Sequence, residues 1–356
     1  MKKTLVALAV LATAGSAFAA GHAAPASSVT LYGRLDGAVV NVDKANAAGQ
    51  SLTALGDSTV ATSIWGMRGS ENLGGGMRGV FNIEGDVSVT SGNTSAAGVF
   101  RRAANVGVAG GFGEVTLGLR LNPLIAAWAG AQVMTSNSVF VTTSAAGNFA
   151  DFFTKNAVTY TAPKLGPATV QIQRGFGNVA GGDSKGVMTA LSVTAPLPGG
   201  IELRGAFQQR EAGGTAGASA NDAGGDKETT LLGVKGNFGP ASVALNYVKN
   251  EAKSAAGAFT HKFDLIQLAG SYSLSKQMMV GASFSQFDSG LTNTGKTTLT
   301  NLQGRYILSP RTFTYLQVGM ADNPTTGVTV SPVWSAAGGV AGKNQTSIGL
   351  GAVHIF

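Results

Sequence analysis

The chain has 356 residues, of which 12% are charged, with 52 glycines, no cysteine and a formal net charge of +7. Charge at about half the usual share and glycine at about twice its usual frequency exclude an ordinary soluble composition. The absence of cysteine excludes a disulfide framework, three histidines leave no donor set for a transition metal, and scattered basic residues form no nucleic-acid stripe.

In chain order, Lys2 and Lys3, the apolar run from Leu5 to Ala14 and the small-residue end Ala17-Phe18-Ala19 predict a cleaved secretory signal over 1–19. The run is too short to span a bilayer. Its removal leaves one domain, 20–356, with 23 basic against 18 acidic residues. No later segment has the 18 or more apolar residues of a transmembrane helix; Leu124 to Met134 comes nearest.

Alternation begins at once. Arg34 and Asp36 oppose Leu31 and Leu35. Met77, Phe81, Ile83, Val87 and Val89 oppose Arg78, Asn82, Glu84, Asp86 and Ser88. Val115, Leu117, Leu119 and Leu121 oppose Glu114, Thr116, Arg120 and Asn122. Ile201, Leu203 and Phe207 oppose Glu202, Arg204, Gln208 and Arg210, and Leu302, Tyr306 and Leu308 oppose Asn301, Gln303 and Arg305. A strand sends successive side chains to opposite faces, so each segment has one apolar and one wet face.

Tight-turn signals punctuate these segments at Leu73–Gly76, Gly110–Gly113, Leu165–Pro167, Leu197–Gly200, Phe238–Pro240, Leu274–Lys276 and Leu308–Pro310. Most are spaced by roughly 32 to 46 residues, room for two strands and a longer polar loop. Seven short turns with both termini on one side predict an all-β fold, a sixteen-stranded antiparallel transmembrane barrel with short periplasmic turns and long extracellular loops. One spacing, Gly111 to Gly166, is about 55 residues, with its excess between Asn122 and Phe153. The alanine-rich Leu124 to Met134 predicts a short helix there, in an oversized third loop that folds into the barrel. Phe356 places an aromatic ring at the end of the last strand.

Two enzyme-like patterns fail on context. Gly290 to Thr297 fits G-x-x-x-x-G-K-[ST], but Thr298 to Leu308 alternates like a strand where a phosphate-binding loop needs a helix. Gly182 to Gly186 fits G-x-S-x-G inside a polar loop, without the strand-turn-helix setting of a nucleophile elbow. The reading is therefore not an enzyme, with no catalytic residue, no cofactor and no metal.

Several motifs match a known family. They are Ser28-Val29-Thr30-Leu31-Tyr32-Gly33 with Asp36, Trp65-Gly66-Met67-Arg68-Gly69-Ser70-Glu71-Asn72-Leu73-Gly74-Gly75-Gly76, Val106-Gly107-Val108, Gly111-Phe112-Gly113, Leu117-Gly118, Asn156 to Tyr160, and Tyr306 to Ser309 with Arg311-Thr312. The mature chain resembles the general porins of Gram-negative bacteria, of the β-proteobacterial type. The resemblance implies a sixteen-stranded barrel in the outer membrane, a homotrimer, an inward third loop, and passive diffusion of small hydrophilic solutes. It also marks departures. Ser63-Ile64 stands where the family often has Ser-Arg, Gly118-Leu119-Arg120 where it has Gly-Arg-Gln, and Phe152 and Phe153 where a further arginine is usual.

An arginine on the lipid face costs about 2–4 kcal/mol at mid-bilayer, so the wet faces should point inward. Candidates for the pore lining or constriction are Arg34, Asp36, Arg68, Arg78, Glu84, Arg120 and Asp151, with Arg204 and Arg305 as further lumen wall. A positive balance predicts mild anion selectivity, against which the missing arginines count. Expected partners are the trimer mates, outer-membrane lipid, lipopolysaccharide and small anions. The competing reading is a surface barrel with a plugged lumen, separated from a porin by conductance.

Overall fold

A computed structural model describes residues 27–133, 151–213, 224–254, 256–289, 295–333 and 336–356. The expected signal segment, the middle of the third loop and most of Gly290 to Thr297 lie outside the described residues.

Strands run in the order β1 (Ser28–Val42), β2 (Leu52–Asp57), β3 (Ile64–Gly74), β4 (Met77–Asp86), β5 (Ala103–Gly110), β6 (Gly113–Leu121), β7 (Phe153–Thr161), β8 (Thr169–Gly175) and β9 (Met188–Leu197). They continue as β10 (Ile201–Arg210), β11 (Gly224–Phe238), β12 (Ala241–Ser254), β13 (Phe259–Ser273), β14 (Met278–Ser289), β15 (Thr297–Ser309), β16 (Thr312–Asp322) and β17 (Asn344–Ile355). One helix, α1 (Pro123–Ala131), sits between β6 and β7. Every consecutive pair from β3 onward is antiparallel, and β17 returns to β1. The seven turns predicted from glycine and proline join β3 to β4, β5 to β6, and so on to β15 and β16.

Among the described residues, seventeen strands make sixteen staves. The lower half of β1 pairs with β3 from Ser28–Ser70 to Arg34–Ile64, and its upper half pairs with β2 from Gly37–Asp57 to Val42–Leu52. β2 and β3 are thus one stave, interrupted at 58–63. The break turns inward: Thr59, Val60 and Ser63 are buried, and Val60 packs with Val40, Val42, Tyr315, Val333 and Val353. Asp36 holds it. Its carboxylate accepts the N–H of Val60 at 2.6 Å, the N–H of Ala61 at 2.8 Å and the Tyr315 hydroxyl at 2.6 Å.

The outward faces carry the predicted belt. Leu31 is 61% exposed and Leu350 64%, values that describe contact with hydrocarbon rather than an unmade core. The β1–β17 seam ends in a reciprocal pair, with Gly33 and Phe356 each donating its N–H to the other's carbonyl at 3.0 Å. A Cβ on Gly33 would stand 2.4 Å from the Phe356 ring and 2.6 Å from the Ile64 carbonyl, so only glycine lets the ring lie across the seam.

Three differences from the sequence reading have local causes. β4 ends at Asp86, so Val87 and Val89 belong to the second outer loop and are not part of an alternating strand. The β6–β7 register shifts between Gly118 and Arg120, and Leu121, assigned to the apolar outer face, packs against the interior cluster. The upper interior is apolar where a wet face was expected: Leu231, Val248, Phe263, Leu265, Phe287 and Leu299 form one buried cluster with α1 and Val330. Val330 arrives from the β16–β17 connection, which is pinned inward by Asn323 (Val330 N–H to Oδ1 at 2.7 Å, Nδ2 to Val330 carbonyl at 2.9 Å).

Removing the Asp36 side chain strands the buried N–H of Val60 and the half-buried N–H of Ala61 and takes an acceptor from the Tyr315 hydroxyl, and a buried polar group left unsatisfied costs about 1–3 kcal/mol. Asp36→Ala should lower the midpoint of urea unfolding, and Tyr315→Phe should lower it less. Gel mobility of unheated samples across a urea series measures both.

Candidate functional site

Cross-strand partners share a face, so the registers order the interior wall from the middle of the barrel downward. Arg34 lies beside Ile64 and Asp86, and Tyr32 beside Gly66 and Glu84. Thr30 lies beside Arg68, Asn82 and Asn105. Arg78 lies beside Ala109 and then Glu114 near the periplasmic end. Glu202, Arg204, Gln208 and Arg210 face inward on β10, opposite Lys235, Gly233, Thr229 and Lys227 of β11.

The upper rows form a dense charge cluster. Arg102 donates from Nε to Glu84 at 2.7 Å and from Nη1 to Asp86 at 3.2 Å, and its guanidinium lies 5.0 Å from the Phe153 ring centre. Arg101 also binds Asp86 and keeps 37% of its side chain exposed. Arg34 donates from Nε to the Thr62 carbonyl at 2.7 Å, which ties it to the inward break. Glu84 accepts from the Tyr32 hydroxyl at 2.9 Å.

The lower rows form a second group. Arg120 reaches along β6 to Glu114 at 2.6 Å and to the Thr116 hydroxyl at 2.8 Å. Arg68 is exposed to the lumen and lies 5.2 Å from the centre of the Tyr32 ring. Both arginines line a hollow of about 400 Å³ with Asn82, Asn105, Thr30 and Thr116. Arg78 is exposed below them.

The far wall carries α1. Asn122 caps it, accepting the Leu124 N–H at 2.8 Å while its own amide donates to Gln208 at 2.8 Å. Pro123 at the first turn suits a position whose N–H has no helical partner. The helix is apolar on all sides, and Leu124, Ile125, Ala127, Trp128 and Ala131 are buried, as such a helix requires. Lys235 donates to the carbonyls of Gly130 at 3.5 Å and Gln132 at 3.0 Å, placing a cation at the negative end of the helix dipole. Arg204, bound to Glu202 at 2.7 Å, lies so close to Gly130 that a Cβ there would meet its guanidinium at 2.1 Å.

The sequence candidates therefore separate. Arg34 and Glu84 meet in the upper cluster, Arg68 and Arg120 in the lower hollow. Arg204 sits under α1. Arg305, on β15, is bonded to Gln303 at 2.7 Å, lies 4.8 Å from the Phe313 ring centre and stands opposite Tyr315, the partner of Asp36. Two candidates are corrected. Asp36 is 0% exposed and clamps the 58–63 break, and Asp151 is 1% exposed. Asp151 accepts from Gln208 at 2.9 Å and from Arg210 at 3.2 Å, with the Lys227 ammonium at 3.9 Å. Neither carboxylate is a free charge on the water path; each fastens an inward segment to the wall.

Sequence reasoning missed Arg101 and Arg102, which precede β5 in an irregular loop with no periodicity to reveal their direction. It also missed Lys227 and Lys235. Their signal was present, because both fall on the face of β11 opposite Leu232 and Val234.

With this geometry in hand, comparison with known proteins is decisive. Residues 4–326 match the family of Gram-negative porins. The chain is a member of that family. It is 32% identical to outer membrane porin protein 32 of Delftia acidovorans, with all of both chains covered. It is 36% identical to an outer membrane porin protein of Bordetella pertussis over 30% of each chain. Among solved structures, the anion-selective porin from Comamonas acidovorans superposes with a TM-score of 0.77 at 26% identity, covering 93% of this chain and all of that one. The trimer form of OmpT from Vibrio cholerae, at 16% identity, shares the fold with a TM-score of 0.68 over 93% of this chain and all of that one. This porin is an outer-membrane protein, and its barrel is a passive channel.

The contacts of α1 predict one mechanical effect. A cation at a helix C-terminus contributes about 0.3–1 kcal/mol at an exposed site and up to about 2 when partly buried. Lys235→Gln should leave the barrel folded but loosen α1, seen as increased open-channel current noise at unchanged heat stability.

Proposed function

We propose that this porin passes small hydrophilic solutes with a mild preference for anions. The preference is carried by Arg34, Arg68, Arg78 and Arg120 on the strand wall, joined by Arg101 and Arg102 from the second outer loop. Glu84, Asp86 and Glu114 lie among them on the same wall, paired with Arg102, Arg101 and Arg120, and keep the preference mild. The observation that carries this reading is the surplus of guanidinium over carboxylate on the β1–β6 wall, with Arg68 and Arg78 exposed to the lumen. Arg102, packed beside the Ile64–Asp86 row, supplies a cation where the strand itself offers isoleucine. Arg204 and Arg305 are lumen wall without a selective role. The description of the Comamonas acidovorans structure as anion-selective supports the sign.

The working unit is a homotrimer, in keeping with a structural neighbour described as a trimer form. Lipid and lipopolysaccharide surround it, the 1–19 segment directs export and is then removed, and transport involves no chemical step and no cofactor.

Reversal potential in a potassium chloride gradient tests the reading, which fails if the wild-type channel is cation-selective. Removing one charge about 4 Å from a passing ion changes its energy by about 1 kcal/mol in water. Because the two ions respond in opposite directions, Arg68→Gln and Arg102→Gln should each lower the chloride-to-potassium permeability ratio, by at most about thirtyfold and less at high salt. Arg305→Gln should leave the ratio unchanged.

A further inference from the structure

The outward face of the barrel is not evenly filled. A groove of about 630 Å³ crosses the lipid side of β13, β14 and β15. Its floor is made of small residues placed by register: Gly270 lies beside Ala282, and Gly304 lies on the next strand one row closer to the periplasm, beside Val280. Tyr272, Leu302 and Leu316 form walls, between 45% and 51% exposed.

Nothing within the protein requires glycine at the floor. A Cβ at Gly304 would meet no atom within 4 Å, and one at Gly270 would meet only the Ser242 carbonyl at 3.7 Å. Neither glycine has a positive φ. The groove is a hollow that larger side chains could fill without strain, on a surface where leucine is otherwise common.

Its lower end points to the occupant. Gly270 stands three residues above the end of β13 and Gly304 five above the end of β15, about 10 and 16 Å along the strands at 3.3 Å per residue; a strand tilt of about 40° reduces these to heights of about 8 and 13 Å, inside the lower half of a ~30 Å hydrocarbon core. The groove thus runs through the periplasmic leaflet. The two turns beneath it, Leu274–Gln277 and Ser309–Arg311, carry Lys276 and Arg311, both exposed, and no acidic residue. A chain-shaped apolar hollow below mid-membrane, with two cations at headgroup level, matches an anionic phospholipid.

We propose that this groove is a specific site for an anionic phospholipid of the inner leaflet, its acyl chain on Gly270, Ala282 and Gly304 and its phosphate between Lys276 and Arg311. The site is independent of ion selectivity in the lumen. The test uses the full assembly, stripped of lipid and exchanged into vesicles of phosphatidylglycerol or phosphatidylcholine with identical chains, with retained lipid counted by native mass spectrometry. Wild-type protein should retain more phosphatidylglycerol than phosphatidylcholine by about thirtyfold, about fivefold for each of the two basic residues near an anionic lipid. Lys276→Gln with Arg311→Gln should abolish that preference. Gly270→Leu with Gly304→Leu should abolish retention of both lipids, with single-channel conductance unchanged. Equal retention of the two lipids by wild type, or undiminished retention by the filled groove, overturns the proposal. So does dissociation of the assembly by the filling substitutions, which assigns the groove to a second copy. The charge variant alters only exposed turns and decides the matter if the filled variant does not fold.

Discussion

The constraint from which the rest follows is that no backbone hydrogen bond can be left open to hydrocarbon. A sheet meets it only by closing on itself, which fixes an even number of staves, a shared side for the termini and short turns at one end. The one interrupted stave shows how strictly this holds. At 58–63 the chain leaves the ladder, but it turns inward, and its freed N–H groups go to the Asp36 carboxylate. A carboxylate buried beneath a membrane-spanning wall is tolerated because it accepts three hydrogen bonds there.

Closure also hands three irregular segments among the described residues to the interior. The break at 58–63, helix α1 and the β16–β17 connection all pack inside the ring, where they cover an apolar upper wall and leave the charged rows of β1 to β7 facing the lumen. Charges in this lumen have two employments. Asp36 and Asp151 fasten inward segments and are committed to that task. Glu84, Asp86, Arg101 and Arg102 form a mutual lattice whose outer edge meets water.

The barrel was legible from sequence because its signals are local. Glycine and proline at Gly74–Gly76 or Pro240 mark turns without help from elsewhere, and alternation on β10 or β15 needs only neighbouring residues. The lumen was legible only in part, because its contents depend on contacts between remote segments. Phe263, Phe287 and Leu299 sit on the face that alternation reserves for polar groups, and they are accommodated because α1 and Val330 cover them. Asp36 reads as a lining acid until Tyr315, 279 positions away, takes one of its oxygens. Arg101 and Arg102 lie where no periodicity exists to be read.

The seam between β1 and β17 differs from every other junction in the ring, for it has no turn. All other neighbours are tethered through a short turn or an outer loop, whereas Gly33 and Phe356 must find each other across the whole length of the barrel sequence. Joining ends so far apart carries an entropic cost of about 4 kcal/mol beyond that of a minimal loop, recovered only when the last strand docks along its full length. The seam is therefore the natural last step of assembly and the natural first point of opening. A chain lacking β17 would keep fourteen good ladders and still remain an open sheet.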